Sequence, residues 1–238
     1  MKKGTSRHFP YPHPKMGAKA APTTERSWRT SVYYWWWYCL RMNKAYLACC
    51  ERGGTGALTG LYADFGDVRN NDFRSWWMEN DRGASLFAEP VVDKTVRILA
   101  AGEIVEDSAA VLTIALPLAL PKRFLLRRAR ELLSAYHTRK RGQLIARESG
   151  AIYRVKHPPN VDSIEIAIRV YELRLDNPDK PQWWLANQLP RILPNQKLKP
   201  SDTAHEARDK RRALSVAANR YIKAAEKMIA NTGKGEFV

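Results

Sequence analysis

Six consecutive aromatic residues, Tyr33 to Tyr38, constrain the fold of this chain more than any other feature of its sequence. The run predicts a helix over residues 31–42. Successive side chains on a helix point about 100° apart, so neighbouring tryptophans cannot all face one core. We therefore expect some of Trp35, Trp36 and Trp37 to be partly exposed or held at a protein interface. Core packing or such an interface is favoured over stacking on nucleobases.

Hydrophobic periodicity indicates further elements in the first 141 residues. Helices are predicted over 44–52, 71–80 and 122–141. The stretches 95–103 and 109–118 are rich in Val, Ile and Leu, and they predict two short paired strands.

Three more helices are predicted after residue 160, over 162–177, 181–189 and 201–233. Thr203 and Glu206 have the spacing of a capping box at the start of the last one. Its apolar residues recur at alternating steps of four and three, which is typical of one buried helix face; they are Leu214, Ala218, Tyr221, Ala225 and Met228.

These elements predict a mainly α protein with a small β element, an α+β fold. Four regions are expected: a flexible basic arm over 1–30, a Trp-rich α+β domain over 31–141, a linker over 142–160 and a helix-turn-helix-like three-helix domain over 161–238. Asn43 is the expected N-cap of the 44–52 helix, and Gly53-Gly54 its stop.

Basic residues outnumber acidic ones by 40 to 24, and the formal net charge is +16. The excess is segregated: residues 1–30 carry +6, residues 31–120 carry −3 and residues 121–238 carry +13. A polyanion is the natural partner of such a chain, and the segregation indicates a binding face.

The polar side of the 201–233 helix is the first candidate for that face. Arginine can bind guanine edges and asparagine adenine edges, as a recognition helix requires. The alternative is an ordinary three-helix bundle with a solvated basic side, and the turn over 190–201 is longer than a helix-turn-helix uses. The candidate residues are Arg208, Arg211, Arg212, Ser215, Asn219 and Lys223.

The 122–141 helix is the second candidate, because eight cations are crowded there against the single acid Glu131. Contact with phosphates or with an acidic partner is the simplest use of that charge density. The cations are Lys122, Arg123, Arg127, Arg128, Arg130, Arg139, Lys140 and Arg141.

Motifs of catalysis are missing from the sequence. It has no phosphate-binding loop, no dinucleotide-binding glycine motif and no His/Cys spacing for zinc, so we expect no enzyme activity, no cofactor and no metal. A metal-dependent nuclease stays an alternative, because carboxylates between residues 64 and 81 are able to bind Mg²⁺. They are Asp64, Asp67, Asp72, Glu79 and Asp81.

The expected location is the cytoplasm, in association with the nucleoid. Three cysteines, Cys39, Cys49 and Cys50, are too few for a disulfide framework and fit a reducing compartment. No secretory signal is expected, and the longest apolar run, 109–120, is too short to cross a bilayer and is interrupted by Pro117. No membrane partner is therefore predicted.

The order of these segments resembles a protein family. A Tyr/Trp-rich opening helix, a second short helix, a WW pair, VLTIALPL, a K-R-x-x-L-x-R helix and the tail RALSVAANRYIKAAEKMIANTGKGEF are similar to uncharacterised DNA-binding and transcriptional-regulator proteins of proteobacterial plasmids and integrated mobile elements. The similarity covers about residues 31–236, and it implies mobile-element biology rather than a mechanism.

Together these observations predict a non-enzymatic nucleic-acid-binding protein, with DNA favoured over RNA, that acts as a regulator or accessory factor of a mobile element. The alternative is a subunit of an RNA- or DNA-containing nucleoprotein assembly, whose tryptophan clusters would contact a partner protein or another copy of the chain.

Overall fold

A computed structural model describes residues 8–18, 21–22, 24–89, 98–99, 112–136, 151–155 and 159–237. The chain forms two compact units. Unit 1 combines Met1–Pro90 with Ser149–Val238, and unit 2 is Val91–Glu148.

Short helices make up the first half of unit 1. Its elements are β1 (Gly17–Ala18), β2 (Ala21–Pro22), α1 (Glu25–Trp28), α2 (Val32–Leu40), α3 (Lys44–Glu51), α4 (Thr59–Phe65), α5 (Phe73–Met78), a 3-10 helix (Glu79–Asp81) and α6 (Arg82–Phe87). β1 and β2 pair antiparallel. The helices predicted over 31–42, 44–52 and 71–80 are confirmed, and Asn43 caps α3 by accepting a hydrogen bond from the Tyr46 amide at 3.0 Å. α4 and α6 were not predicted.

Longer helices follow. Unit 2 contains α7 (Lys122–Tyr136), and the second half of unit 1 contains α8 (Val161–Asp176), α9 (Gln182–Gln188), a 3-10 helix (Pro194–Gln196) and α10 (Ala204–Thr232). The predicted capping box is present: the Thr203 hydroxyl accepts from the Glu206 amide, and the Glu206 carboxylate accepts from the Thr203 amide at 2.8 Å.

The mainly α fold is confirmed, and the predicted small β element is not seen in the described residues. Of the ranges 95–103 and 109–118, the structure describes residues 98–99 and 112–118, and these are not strands. The rest of both ranges lies outside the described residues. The strands that are present, β1 and β2, have two residues each.

Helix α2 is buried on every side, which corrects the expectation that some of its tryptophans are exposed. Trp35, Trp36 and Trp37 all have 3% or less of their surface exposed. The expectation was wrong because it allowed the helix a single core face. The structure surrounds α2 with other aromatic rings, among them Phe73 5.3 Å from Trp37 and Phe87 5.3 Å from Trp36.

Part of that cover comes from the C-terminal half of the chain, so the structure departs from the predicted domains 31–141 and 161–238. Phe237 stacks on Trp36 at 5.3 Å, and Ile164, Ile168 and Ala225 belong to the same buried cluster. A helix that is apolar all round needs cover from more than one direction. Residues on both sides of the predicted 142–160 linker therefore share one core.

The N-terminal segment also departs from the prediction of a flexible arm. Residues 8–16 pack on the core: the ring of Phe9 lies 5.8 Å from Tyr33, and the Ser31 hydroxyl donates to the Pro12 carbonyl at 2.8 Å. Arg74 donates to the Met16 carbonyl at 3.2 Å. These contacts fix the segment. Residues 1–7 lie outside the described part.

Helices α8, α9 and α10 share a second buried cluster. It contains Val170, Leu185, Leu214, Ala218 and Ile222. The predicted apolar stripe of α10 is confirmed, since Leu214, Ala218, Ala225 and Met228 are buried and Tyr221 is half-buried. This packing turns the opposite side of α10 toward solvent.

Candidate nucleic-acid interface

The outward side of α10 brings together all six residues that the sequence singled out on this helix. Arg208, Arg211, Arg212 and Lys223 are exposed, and Ser215 and Asn219 are half-buried at the margin of the core. From Arg208 to Lys223 the helix rises about 22 Å. That length matches roughly six base pairs of duplex. We call these six residues the α10 basic face.

The cations of the α10 basic face form no ion pair with a carboxylate within the described part of the chain. Other arginines of unit 1 do: Arg29, Arg69 and Arg82 lie 2.6 to 2.8 Å from carboxylate oxygens. Lys210 on α10 itself pairs with Asp202 at 2.5 Å. Unpaired guanidinium groups keep their full attraction for an external anion. The face is thus a positive surface that the described residues leave without a carboxylate partner.

Two cations beside this face were missed by the sequence analysis. Arg220 and Lys227 are exposed on α10 and form no ion pair in the described residues. They lie on the flank of the helix, about 100° from the centre of the basic face. The sequence analysis considered only the side opposite the apolar stripe, so it passed over these two residues. Considering every cation of the predicted helix would have included them. Glu226 is an exposed acid on the same C-terminal half.

A half-buried tryptophan borders the face. The guanidinium carbon of Arg211 lies 5.2 Å from the ring centroid of Trp183 on α9, and the Lys180 ammonium lies 5.7 Å from that of Trp184. Such cation–π contacts orient the cation without neutralising it. Trp183 therefore holds Arg211 beside the rest of the face.

The connection from α9 to α10, residues 189–203, is long for a helix-turn-helix and is fixed by hydrogen bonds. The Lys197 ammonium donates to the carbonyls of Ala186 and Leu189 at 2.5 and 2.7 Å, at the end of α9. The Leu198 amide donates to the Asn187 side chain at 3.1 Å. The segment positions α10 firmly, although it does so without the short turn of that motif.

Helix α7 belongs to unit 2 and carries the second group of predicted cations. Lys122, Arg123, Arg127, Arg128 and Arg130 are exposed. Glu131 partly neutralises them, since it lies 2.6 Å from Arg128 and 3.9 Å from Arg127. Arg139, Lys140 and Arg141 lie outside the described residues.

The apolar side of α7 is open to solvent as well. Leu126 is 62% exposed and Leu133 49% exposed, whereas Leu125 and Ala129 are half-buried. α7 is thus an amphipathic basic helix with both sides accessible, which is typical of a segment that binds something else.

The tryptophans of α2 and α5 are unavailable for a protein interface. Trp76 and Trp77 are buried like the three tryptophans of α2, and stack with Phe65 and Phe87 at about 6 Å. These two clusters pack in the core, which was one of the two alternatives predicted for them, and an interface through tryptophans stays a prediction. Trp183 and Trp184 keep some exposed surface.

The carboxylates between residues 64 and 81 serve separate structural purposes. Asp64 accepts a hydrogen bond from Tyr153 at 2.6 Å, and Glu79 pairs with Arg82. The Arg69 side chain lowers the pKa of Asp67, and the Ser75 amide lowers that of Asp72, which caps α5. Within the described residues no three or more His, Cys, Asp or Glu side chains gather as metal ligands do. The cysteines are buried, and burial raises the pKa of Cys39 and Cys50.

Comparison with protein-family models, with curated proteins and with solved structures found no match to this chain. No helix among the described residues has the length and apolar character to cross a membrane. The α10 basic face is accordingly assessed from its own geometry and charge.

Proposed function

We propose that this chain is a non-enzymatic nucleic-acid-binding protein whose α10 basic face contacts the nucleic acid. The observation that carries the proposal is the set of exposed arginines that have no carboxylate partner among the described residues. One buried stripe turns them outward together. Phosphates are the ligands that such guanidinium groups bind best, often with two hydrogen bonds each. In the same proposal, the exposed cations of α7 bind phosphates as a second element.

DNA is the favoured partner, and a regulator or accessory factor of a mobile element is the favoured role. Arg212 and Asn219 carry planar groups two helical turns apart that suit base edges in a major groove. The resemblance to plasmid and integrated-element proteins supports the biological setting. Association with the nucleoid in the cytoplasm follows from the same proposal.

The salt dependence of binding tests this proposal. The dissociation constant of a labelled 24-base-pair duplex is measured from about 50 to 300 mM salt, and the logarithmic slope should be about −0.9 for each phosphate neutralised. The double variant Arg208→Gln, Arg212→Gln should flatten the slope by close to two phosphates. Lys44→Gln, which removes an exposed charge from α3, is the matched control. Equal slopes in the double variant and the wild type would refute the proposal.

The alternative, a subunit of a nucleoprotein assembly, is supported by one observation, the exposed leucines of α7. In that case the partner would cover this apolar side rather than the buried tryptophans. The alternative would be favoured if the isolated chain bound duplex weakly and without salt dependence. The same chain should then bind firmly once a co-purifying protein is added.

A further inference from the structure

An apolar notch opens beside the α10 basic face. Its volume is about 540 Å³, and Leu193, Ala213, Val216 and Ala217 form its apolar lining, with Arg212 and Arg220 alongside. Asp209 stands at the rim, 3.3 Å from the imidazole of His205. The notch is open on its solvent side, and its volume is enough for one small organic group.

Two residues of the notch expose apolar surface. Val216 is 66% exposed, with the charged residues Arg212 and Arg220 beside it. Leu193 has a φ of 43° and is 39% exposed. A leucine in the left-handed region is strained, and strain of this kind concentrates at binding sites. Both residues present apolar surface to the same cavity.

The charges around the notch define the occupant. Arg212 and Arg220 are eight residues apart, so they lie about 12 Å from one another along the helix. Neither has a carboxylate partner in the described part of the chain, and Arg220 instead lies over the Tyr221 ring at 5.2 Å. The Asp209 carboxylate lies beside His205, so the two arginines leave an excess of positive charge around the notch. An occupant with a flat or apolar body and negative charge on either side fits these surroundings.

We propose that the notch holds one unpaired nucleobase of a nucleic-acid strand whose flanking phosphates contact Arg212 and Arg220. This inference rests on the proposed function, because Arg212 belongs to both the notch and the α10 basic face. A strand bound along that face therefore passes the opening. Proteins that hold extruded bases place them against aromatic or apolar side chains. The inference adds one unpaired base to the nucleic acid of the proposed function, so a duplex with an unpaired base, or a single strand, should gain affinity from the notch beyond its phosphate contacts.

A pair of oligonucleotides separates the base from the phosphates. One is a twelve-residue oligothymidylate, and the other has the same backbone with every base removed. Because the abasic strand keeps the phosphates and loses the bases, the wild type should bind the oligothymidylate roughly 10-fold more tightly than the abasic strand, a difference of about 1.4 kcal/mol. Their phosphate charge is equal, so the ratio reports the base alone.

Two variants test whether the difference in affinity between the oligothymidylate and the abasic strand arises in the notch. Ala213→Leu fills the cavity and Val216→Ser removes an apolar wall, and both leave every charge in place. Each should reduce the 10-fold ratio to less than 2-fold while abasic binding stays unchanged. Ala224→Leu is the matched control, because Ala224 is exposed on the same helix and does not line the notch. It should keep the full ratio.

The outcomes distinguish this inference from the proposed function. Equal, salt-dependent binding of both strands overturns the notch and leaves the proposed function standing. If neither strand binds while the 24-base-pair duplex does, the notch alone is overturned, and if that duplex also fails to bind, both proposals are overturned. If Ala224→Leu also loses the preference for oligothymidylate over the abasic strand, the proposal for the notch is overturned. An acidic peptide that competes with oligothymidylate in the wild type, and fails to do so in Ala213→Leu, would assign the cavity to a protein partner instead.

Discussion

Single side chains close the ends of several helices. Asp72 caps α5 by accepting hydrogen bonds from the amide and the hydroxyl of Ser75 at 2.9 and 2.7 Å. Lys197 does the opposite at the end of α9, where its ammonium binds three backbone carbonyls, those of Ala186, Asn187 and Leu189. Helix ends carry unpaired amides and carbonyls, so both side chains satisfy groups that would otherwise be bare.

We expect Asp72→Ala to lower the free energy of unfolding by about 1 kcal/mol at neutral pH, because it removes the N-cap of α5. The pKa of Asp72 is lower in the folded state than in the unfolded chain, whose value is about 3.9. Its ionised form therefore stabilises the fold above that value, and the contribution is lost as the pH falls through the folded-state pKa. Urea unfolding at pH 7, and at the lowest pH where the wild type remains folded, checks this. Asp72→Asn should lose less stability than Asp72→Ala. If the stability lost in Asp72→Ala were the same at both pH values, the prediction would be contradicted.

Lys197→Met should lower the free energy of unfolding by about 1.5–3 kcal/mol, the range for hydrogen bonds to a charged group in a partly buried site. Burial lowers the pKa of Lys197, but the three carbonyls give its ammonium group partners. Chemical denaturation measures the loss. Lys199→Met is the control, since Lys199 is exposed and should tolerate the same change within about 0.5 kcal/mol. Similar losses of stability in both variants would show that Lys197 does not cap α9.

At the scale of elements, close contact between α5 and α6 depends on one glycine. A Cβ at Gly83 would lie 2.1 Å from the Trp77 ring, so any larger residue must displace a buried indole. Gly83→Ala should therefore destabilise the protein by about 1–3 kcal/mol, the usual cost of overpacking. Gly60→Ala in α4 is the matched control: nothing lies within 4 Å of its Cβ position, and it should stabilise by about 0.4–1 kcal/mol. Thermal melts that rank the two variants in the opposite order would contradict this packing.

Sequence reasoning located the periodic helices well and the short ones poorly. α8 and α10 were predicted to within three residues, because their buried faces repeat every three to four positions and Thr203 marks a start. α4 and α6 are short, contain Gly60 and Gly83, and are held by packing rather than by their own propensity. The cations of the α10 basic face were found because they oppose the apolar stripe. The notch was not, because Leu193 reaches it from a loop whose course depends on tertiary contacts.

At the scale of the molecule, the two ends of the chain complete one aromatic core. Phe9 approaches Tyr33 and Trp77 from the N-terminal side, while Phe237 stacks on Trp36 from the C-terminal side. Val155 forms a bridge with Phe237 that holds the tail in place. α10 therefore belongs to the same compact unit as α2. A local change in the aromatic core should therefore also lower the stability of α10, the helix that presents the α10 basic face.

Phe237→Ala should lower the free energy of unfolding by about 3–5 kcal/mol, because it removes a buried ring and leaves a cavity against Trp36. Because unit 1 shares one core, tryptophan fluorescence and far-ultraviolet circular dichroism should follow the same shifted transition. Phe124→Ala is the control: its ring on α7 is 40% exposed, and its loss should change that transition by less than about 0.5 kcal/mol. If fluorescence shifted while the helical signal of α8 and α10 unfolded separately, the N- and C-terminal halves would be independent domains, and the shared core described here would be wrong.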